Sequence, residues 1–244
     1  MKRLLFFIFV ILCILPAGIS YALTPQEILE KVDQVRAPAN TFTFHLQVTV
    51  HNGGQASEAK FSVKVKDARK SLVIYEAPPM NKGRVLLLVG NNMWIYIPGT
   101  RNPLRISPQQ QIIGGVSNAD AARVVFHLDY NVDAVTQDVL DGQDVLKLSL
   151  TAKTTGAAYK NITLWIEEDT YHPVKAEFLA LSGKLLKTVY YKEYKEVLGR
   201  KRPTILEVHD GIRKSEISIM KYSEMKIENT PDAYYQKTFM GRVE

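Results

Sequence analysis

The chain has 244 residues, 31 Lys and Arg against 25 Asp and Glu, 46% apolar residues and a single cysteine, Cys13. The basic excess is small and interleaved with acids along the chain, without the concentrated stripe of a nucleic-acid binder. Beyond Cys13 there is no thiol, which excludes disulfides, thiolate metal sites and a cysteine nucleophile from the body of the protein.

Lys2 and Arg3 precede an apolar run from Leu4 to Leu15, Pro16 and Gly18 break it, and Ser20-Tyr21-Ala22 offers small residues where a signal peptidase reads. The run is shorter than the roughly 20 residues of a membrane span. Bulky Val10-Ile11-Leu12 before Cys13 argues against lipidation. The reading is a cleaved signal peptide over 1–22, export from the cytoplasm, and one domain over 23–244.

A short helix opens that domain. Thr24 caps it, Pro25 takes its first position, Glu27 completes a capping box, and Ile28, Leu29, Val32 and Val35 form one face before Pro38. Period-2 alternation follows. Phe42, Phe44, Leu46, Val48 and Val50 share a face over 41–51, Asn52-Gly53-Gly54 turns the chain, and Phe61, Val63 and Val65 point inward over 60–66. Strands are expected at 72–75, 84–89 and 93–97. The 84–89 strand carries Leu86 and Leu88. Trp94 and Tyr96 share one face of the 93–97 strand, which is apolar on both sides, so they are either core or part of a lipid-facing lining. The stretch 107–116 is polar and Gly-bearing, and a helix is expected at 118–126. Strands resume at 139–140, 145–150, 162–167 (with Leu164 and Ile166), 174–181 (with Phe178), 185–194, 204–209 and 216–225. Arg200-Lys201-Arg202, between Gly199 and Pro203, reads as a solvated turn.

About ten strands, several near ten residues long, make an antiparallel meander that curls to bury its apolar face. The expected fold is mainly β: a curled antiparallel sheet with an apolar interior, partly plugged by one or two helices. Its interior either packs solid or leaves an apolar cavity.

Catalytic signatures are absent. There is no Gly-x-Ser-x-Gly elbow, zinc helix or phosphate-binding glycine loop. The five histidines are scattered; His127 and Asp129 read as solvent-facing loop residues, and Glu167-Glu168-Asp169 as a polar turn. No metal, cofactor or catalytic residue is expected.

The stretch GRVLLLVGNNMWIYIPGTRNPLRISPQQ, then GGVSNADAARVVFHLDY, LWIEEDTYHPVKAEFLALSGKLLKTVYYKEYKEVLGRKRPT and MKYSEMKIENTPDAYYQKTFM, resembles the LolA-like outer-membrane lipoprotein-sorting family. The resemblance implies a half-open, unclosed antiparallel β-barrel of about ten strands with short helices as a lid, which carries acyl chains of lipoproteins or lipids across the periplasm, without catalysis; the polar, Gly-bearing stretch 107–116 is then the expected moving lid. On that reading the cavity lining is Phe42, Phe44, Leu46, Val48, Phe61, Val63, Leu86, Leu88, Trp94, Tyr96, Leu164, Ile166 and Phe178. Arg101 and Arg105 fall in the mouth loop. The implied partners are a lipoprotein or lipid cargo, an inner-membrane RND- or ABC-type transporter as donor and an outer-membrane acceptor, with the carrier a monomer. A sensor module binding a protein partner on the same fold is the alternative.

Overall fold

Helix α1, Pro25–Arg36, forms where its cap predicts: Glu27 N–H donates to the Thr24 hydroxyl, and the Thr24 N–H donates back to the Glu27 carboxylate at 2.7 Å. In the computed structural model the described residues are 23–122 and 125–243, so the signal peptide expected over 1–22 lies outside them.

The strands, in chain order, are β1 Phe42–Asn52, β2 Gln55–Lys66, β3 Lys70–Ala77, β4 Val85–Val89, β5 Asn92–Tyr96, β6 Leu104–Ile106, β7 Gln111–Ile113, β8 Val116–Ser117, β9 Tyr130–Leu140, β10 Gln143–Ala152, β11 Asn161–Ile166, β12 Pro173–Leu179, β13 Leu185–Val197, β14 Arg200–Asp210 and β15 Ile217–Lys226. Thirteen of them make one antiparallel sheet in the order β6-β5-β4-β3-β2-β1-β15-β14-β13-β12-β11-β10-β9; β7 and β8 pair separately. The sheet ends in two edges, β6 and β9, and is not closed into a barrel. A right-handed twist of roughly 20–25° per strand pair, accumulated over so many strands, curls it around its apolar face. Several strands exceed the lengths expected from alternation. The β13–β14 hairpin runs on to Val197 and Arg200, because its tip turns on Leu198 and Gly199, both at positive φ, rather than at Pro203.

The two faces of the sheet bury different things. The concave face holds the main core, built by the alternation of β1 (Phe42, Phe44, Leu46, Val48 and Val50, each at most 6% exposed) and its neighbours. The convex face of β3 to β5 carries a second, smaller core of Leu72, Ile74, Val85 and Leu87. The chain's end covers it: 3-10 turns Asp232–Tyr235 and Lys237–Arg242 bring Tyr235 and Met240 onto it. Lys66 and Lys70 fix this strap through Asp232, at 3.2 and 3.1 Å. A strand covered on both sides needs no polar face, which is why β4 and β5 read as continuous apolar runs.

Candidate ligand crevice

The mouth of the curled sheet is filled from within. Helices α2, Asn118–Ala122, and α3, Phe126–Asp129, place Ala119, Ala121, Ala122 and Phe126 in the main core beside Leu29 and Val32 of α1. The stretch 107–116, expected to be a moving lid, contains β7, whose hairpin with β8 packs over the sheet: Ile112 and Ile113 lie against the core and the Gly115 N–H donates to Ser218 Oγ at 3.1 Å. Gly114, at φ +53°, is the tightest point; a Cβ there would stand 2.5 Å from Ser218 Oγ and 2.6 Å from a Val50 methyl. Gly114→Ala is expected to cost about 1–3 kcal/mol through strain and clash together. A urea unfolding midpoint unchanged from wild type would contradict this.

Beside the plug the sheet itself parts. The β14–β15 ladder runs only from Ile205 opposite Lys221 to His209 opposite Ile217, while both strands continue, to Arg200 and Lys226. Three local features open the split. Pro203 brings no backbone N–H to a ladder. Glu193 in β13 and Glu224 in β15 take positive φ, at +53° and +50°. Glu224 lies where β15 slips register against β1, between Thr43 and His45, and such bulges bend strands beside openings.

The crevice behind the split is lined by Asp33, Arg36 and Ala37 of α1, Phe42 and Phe44 of β1, Asp120 and Ala121 of α2, and Tyr191, Pro203, Leu206, Tyr222 and Met225 of the walls. Its empty space is about 620 Å³, counting the part open to solvent. A deeper recess shares Arg36, Asp120, Tyr191, Leu206 and Tyr222 and reaches Phe178, Lys187 and Val208. The walls are largely aromatic: Phe44 packs on Phe42 at 5.7 Å and on Tyr222 at 5.4 Å between centroids. Burial pushes the phenols of Tyr191 and Tyr222 up, so both are neutral groups at neutral pH.

Two polar clusters tie the plug to its surroundings. At the floor, Asp120 of α2 meets the Lys187 ammonium of β13, and Tyr159 OH bonds both. Ser117 Oγ completes this cluster, 2.9 Å from Asp120 and 2.8 Å from Tyr159 OH. Lys187 also lies over the rings of Tyr159 and Phe178, at 4.6 and 4.8 Å. Burial lowers the Lys187 pKa and Asp120 works against that shift. At the mouth, Asp33 binds Arg36 at 3.1 Å and receives the His127 backbone N–H at 2.8 Å, with His127 Nδ1 on the same oxygen at 2.8 Å. Arg36 stacks over the Phe126 ring at 4.1 Å. His127 therefore belongs to the plug rather than to a solvent-facing loop.

Arg202 is also no surface residue. It is 2% exposed, and its Nη1 donates to the carbonyls of Gln34 at 2.7 Å and Val35 at 2.8 Å, with Nε on Val197 O at 3.1 Å. These are carbonyls of the last turn of α1, which have no partner within the helix. The expected solvated turn is instead the clamp that holds α1 across the split.

The residues singled out from alternation divide accordingly. Phe42 and Phe44 line the crevice and Phe178 its floor. Leu46, Val48, Phe61, Val63, Leu86, Leu164 and Ile166 are packed in the main core, and Leu88 is partly buried against it. Trp94 and Tyr96 are on the other face: they pack in the convex core, with Lys237 5.3 Å over the Trp94 ring and Gly241 against Tyr96. Their facing is corrected by the C-terminal strap, a distant segment that alternation within β5 does not reveal. Arg101 and Arg105 are exposed near edge strand β6, where Arg105 bonds Asn92 Oδ1 at 2.6 Å; neither borders the crevice. Sequence reasoning passed over Arg36, Asp120, Lys187, Leu206, Tyr222 and Met225. Of these Lys187 carried a signal: it alternates with Val189 and Tyr191 on the inward face of β13.

Among the described residues no group of three or more His, Cys, Asp or Glu is placed to hold a metal ion, and no helix is long and apolar enough to cross a membrane.

A half-open antiparallel sheet wrapped around a helical plug, with an apolar crevice between them, is the architecture of the LolA superfamily, and the chain belongs to that superfamily. A LolA superfamily protein from Nitrosomonas europaea is 32% identical, with a TM-score of 0.85 over 89% of this chain and 100% of its own. A domain from Vibrio parahaemolyticus, described as an outer-membrane lipoprotein-sorting protein, shares the fold at 18% identity, with a TM-score of 0.75 over 89% of this chain and 98% of its own. So does a DUF1329 family protein from Desulfovibrio piger, at 19% identity and a TM-score of 0.73 over 88% and 97%. A protein-family model described as an uncharacterized protein matches residues 67–242. No curated protein matches the sequence.

Proposed function

We propose that the protein is a lipid carrier: it takes an acyl chain of a lipoprotein or lipid into the crevice behind the β14–β15 split and moves it between membranes of the cell envelope. The observation that carries this reading is an aromatic, largely apolar crevice that reaches solvent through a parted ladder. Burying a chain of about 16 carbons contributes at most roughly 12 kcal/mol, at about 0.8 kcal/mol per methylene. The resting crevice is narrowed by α1 and α2, so loading moves the plug outward. That movement breaks the buried ties of Asp33 and Asp120, a cost that burial of the acyl chain must offset. An RND- or ABC-type transporter as donor and an outer-membrane acceptor complete the reading, with the carrier exported on its N-terminal signal.

Native mass spectrometry after incubation with phospholipid vesicles tests it. Wild-type protein is expected to carry lipid adducts. Leu206→Trp, which fills the crevice at the split, is expected to lower uptake at least tenfold while the circular dichroism spectrum is kept. A wild-type protein that stays free of lipid would sink the reading.

A further inference from the structure

The hairpin turns fall on two rims of the sheet, and on the first of them Lys195, Arg200 and Lys201 of the β13–β14 tip lie among carboxylates. On this rim, which also bears the β9–β10 and β11–β12 turns, Asp141, Asp144, Glu167, Glu168 and Asp169 accumulate. The β12–β13 and β14–β15 turns are neighbours on the opposite rim, joined where the Gly211 N–H donates to Leu186 O at 2.8 Å. Each of them holds an apolar side chain out in water: Leu181 is 80% exposed and Ile212 61%.

These tips are ordered rather than loose. Asp210 Oδ1 accepts the N–H groups of Ile212 and Arg213 at 2.8 and 2.7 Å, and Gly183 N–H closes the other turn on Ala180 O at 3.0 Å. Arg213 pairs with both Asp210 and Glu216, at 2.9 and 2.8 Å, so this trio carries one net negative charge. Lys184 and Lys214 are exposed, and among the described residues neither pairs with a carboxylate. The rim thus offers two apolar tips and two ammonium groups without a carboxylate partner, with a net charge of +1 once Arg213 and its two carboxylates are included, on turns roughly 10 Å apart because they are two strands removed.

We propose that this rim, through Leu181, Lys184, Ile212 and Lys214, docks the protein on the surface of an anionic lipid bilayer. Lysines gain from the negative surface potential, and side chains of this size enter the boundary between headgroups and acyl chains. With so few groups the contact is weak and salt-sensitive, as suits a protein that must leave again. The split at Pro203 lies seven residues from Asp210 along β14, roughly 23 Å away, so docking leaves the crevice mouth clear.

Sedimentation of the full chain with vesicles of phosphatidylcholine containing one quarter phosphatidylglycerol, against phosphatidylcholine alone, tests the proposal. Binding is expected only to the anionic vesicles and is expected to fall at 0.5 M NaCl. Lys184→Glu/Lys214→Glu should lower binding at least tenfold, and Leu181→Ser/Ile212→Ser should weaken it severalfold. Lys195→Glu/Lys201→Glu, with the same change in net charge on the opposite rim, should bind as wild type. All these residues are exposed, and circular dichroism confirms folding of each variant. Equal loss in both charge-reversal variants, or no preference for anionic vesicles, overturns the proposal. Lipid uptake by native mass spectrometry, expected to be unchanged in the rim variants, separates this failure from failure of the carrier reading.

Discussion

Lys187→Met is expected to destabilise the protein by about 3–5 kcal/mol, because it strands the buried Asp120 carboxylate without its cation. Lys187 is 3% exposed, and its ammonium is bonded to Asp120 and Tyr159 and sits against the packed pair of Tyr159 and Phe178 rings. The double variant Lys187→Met/Asp120→Leu should recover most of that loss, since an apolar pair of similar volume avoids desolvating two charges. Urea unfolding curves decide it: the double variant should have the higher midpoint, with m unchanged. If the single variant unfolds with the wild-type midpoint, the cluster is not what fixes α2 to β13. The pair also specifies position, because an alanine-rich helix of five residues has few other ways to choose its seat in an apolar trough.

The second large effect is expected at Arg202. Arg202→Ala removes three hydrogen bonds to partly buried carbonyls and should cost about 2–3 kcal/mol, in the range for hydrogen bonds to a charged group. The loss should be local as well as global. Amides of the last turn of α1 should exchange faster with solvent, while those of β1 and β2 change little at low denaturant. Arg202→Lys should restore only part of the protection, because an ammonium lacks the planar fork that spans carbonyls of both α1 and the β13–β14 hairpin. Uniform exchange across the protein in Arg202→Ala would argue against a clamp.

What could be read beforehand follows from the range of the forces involved. The α1 cap is a matter of four adjacent residues, and the concave face of β1 is a strict alternation, so Thr24, Glu27 and Phe42 to Val50 all sit where the sequence places them. Arg202, His127 and Trp94 do not, and for one reason. Each is fixed by a segment remote in the chain: Arg202 by Gln34 and Val35, His127 by Asp33, Trp94 by the C-terminal strap. Neighbouring residues describe Arg200-Lys201-Arg202 as a polar turn, and two of the three are indeed exposed. The crevice was illegible for the same cause, being the gap between elements rather than a property of any one of them. Lys187 is the exception, since a lysine at an inward position of a strand announces a buried charge and therefore a partner.

The junction of β1 with β15 carries a consequence for how the chain acquires its shape. It pairs Thr43–His51 with Ile217–Lys226, so the middle of the sheet is made where the two ends of the chain meet. Strands β1 to β6 and β9 to β15 can each form hairpins early, but the trough between them has no continuous wall until that last ladder closes. A polypeptide emerging N-terminus first therefore cannot complete this fold until residues near 226 are free, and contacts so distant in sequence slow the final step. Such a chain stays open along the seam between its two halves for most of its synthesis, and gains its apolar hollow only once β15 has closed on β1.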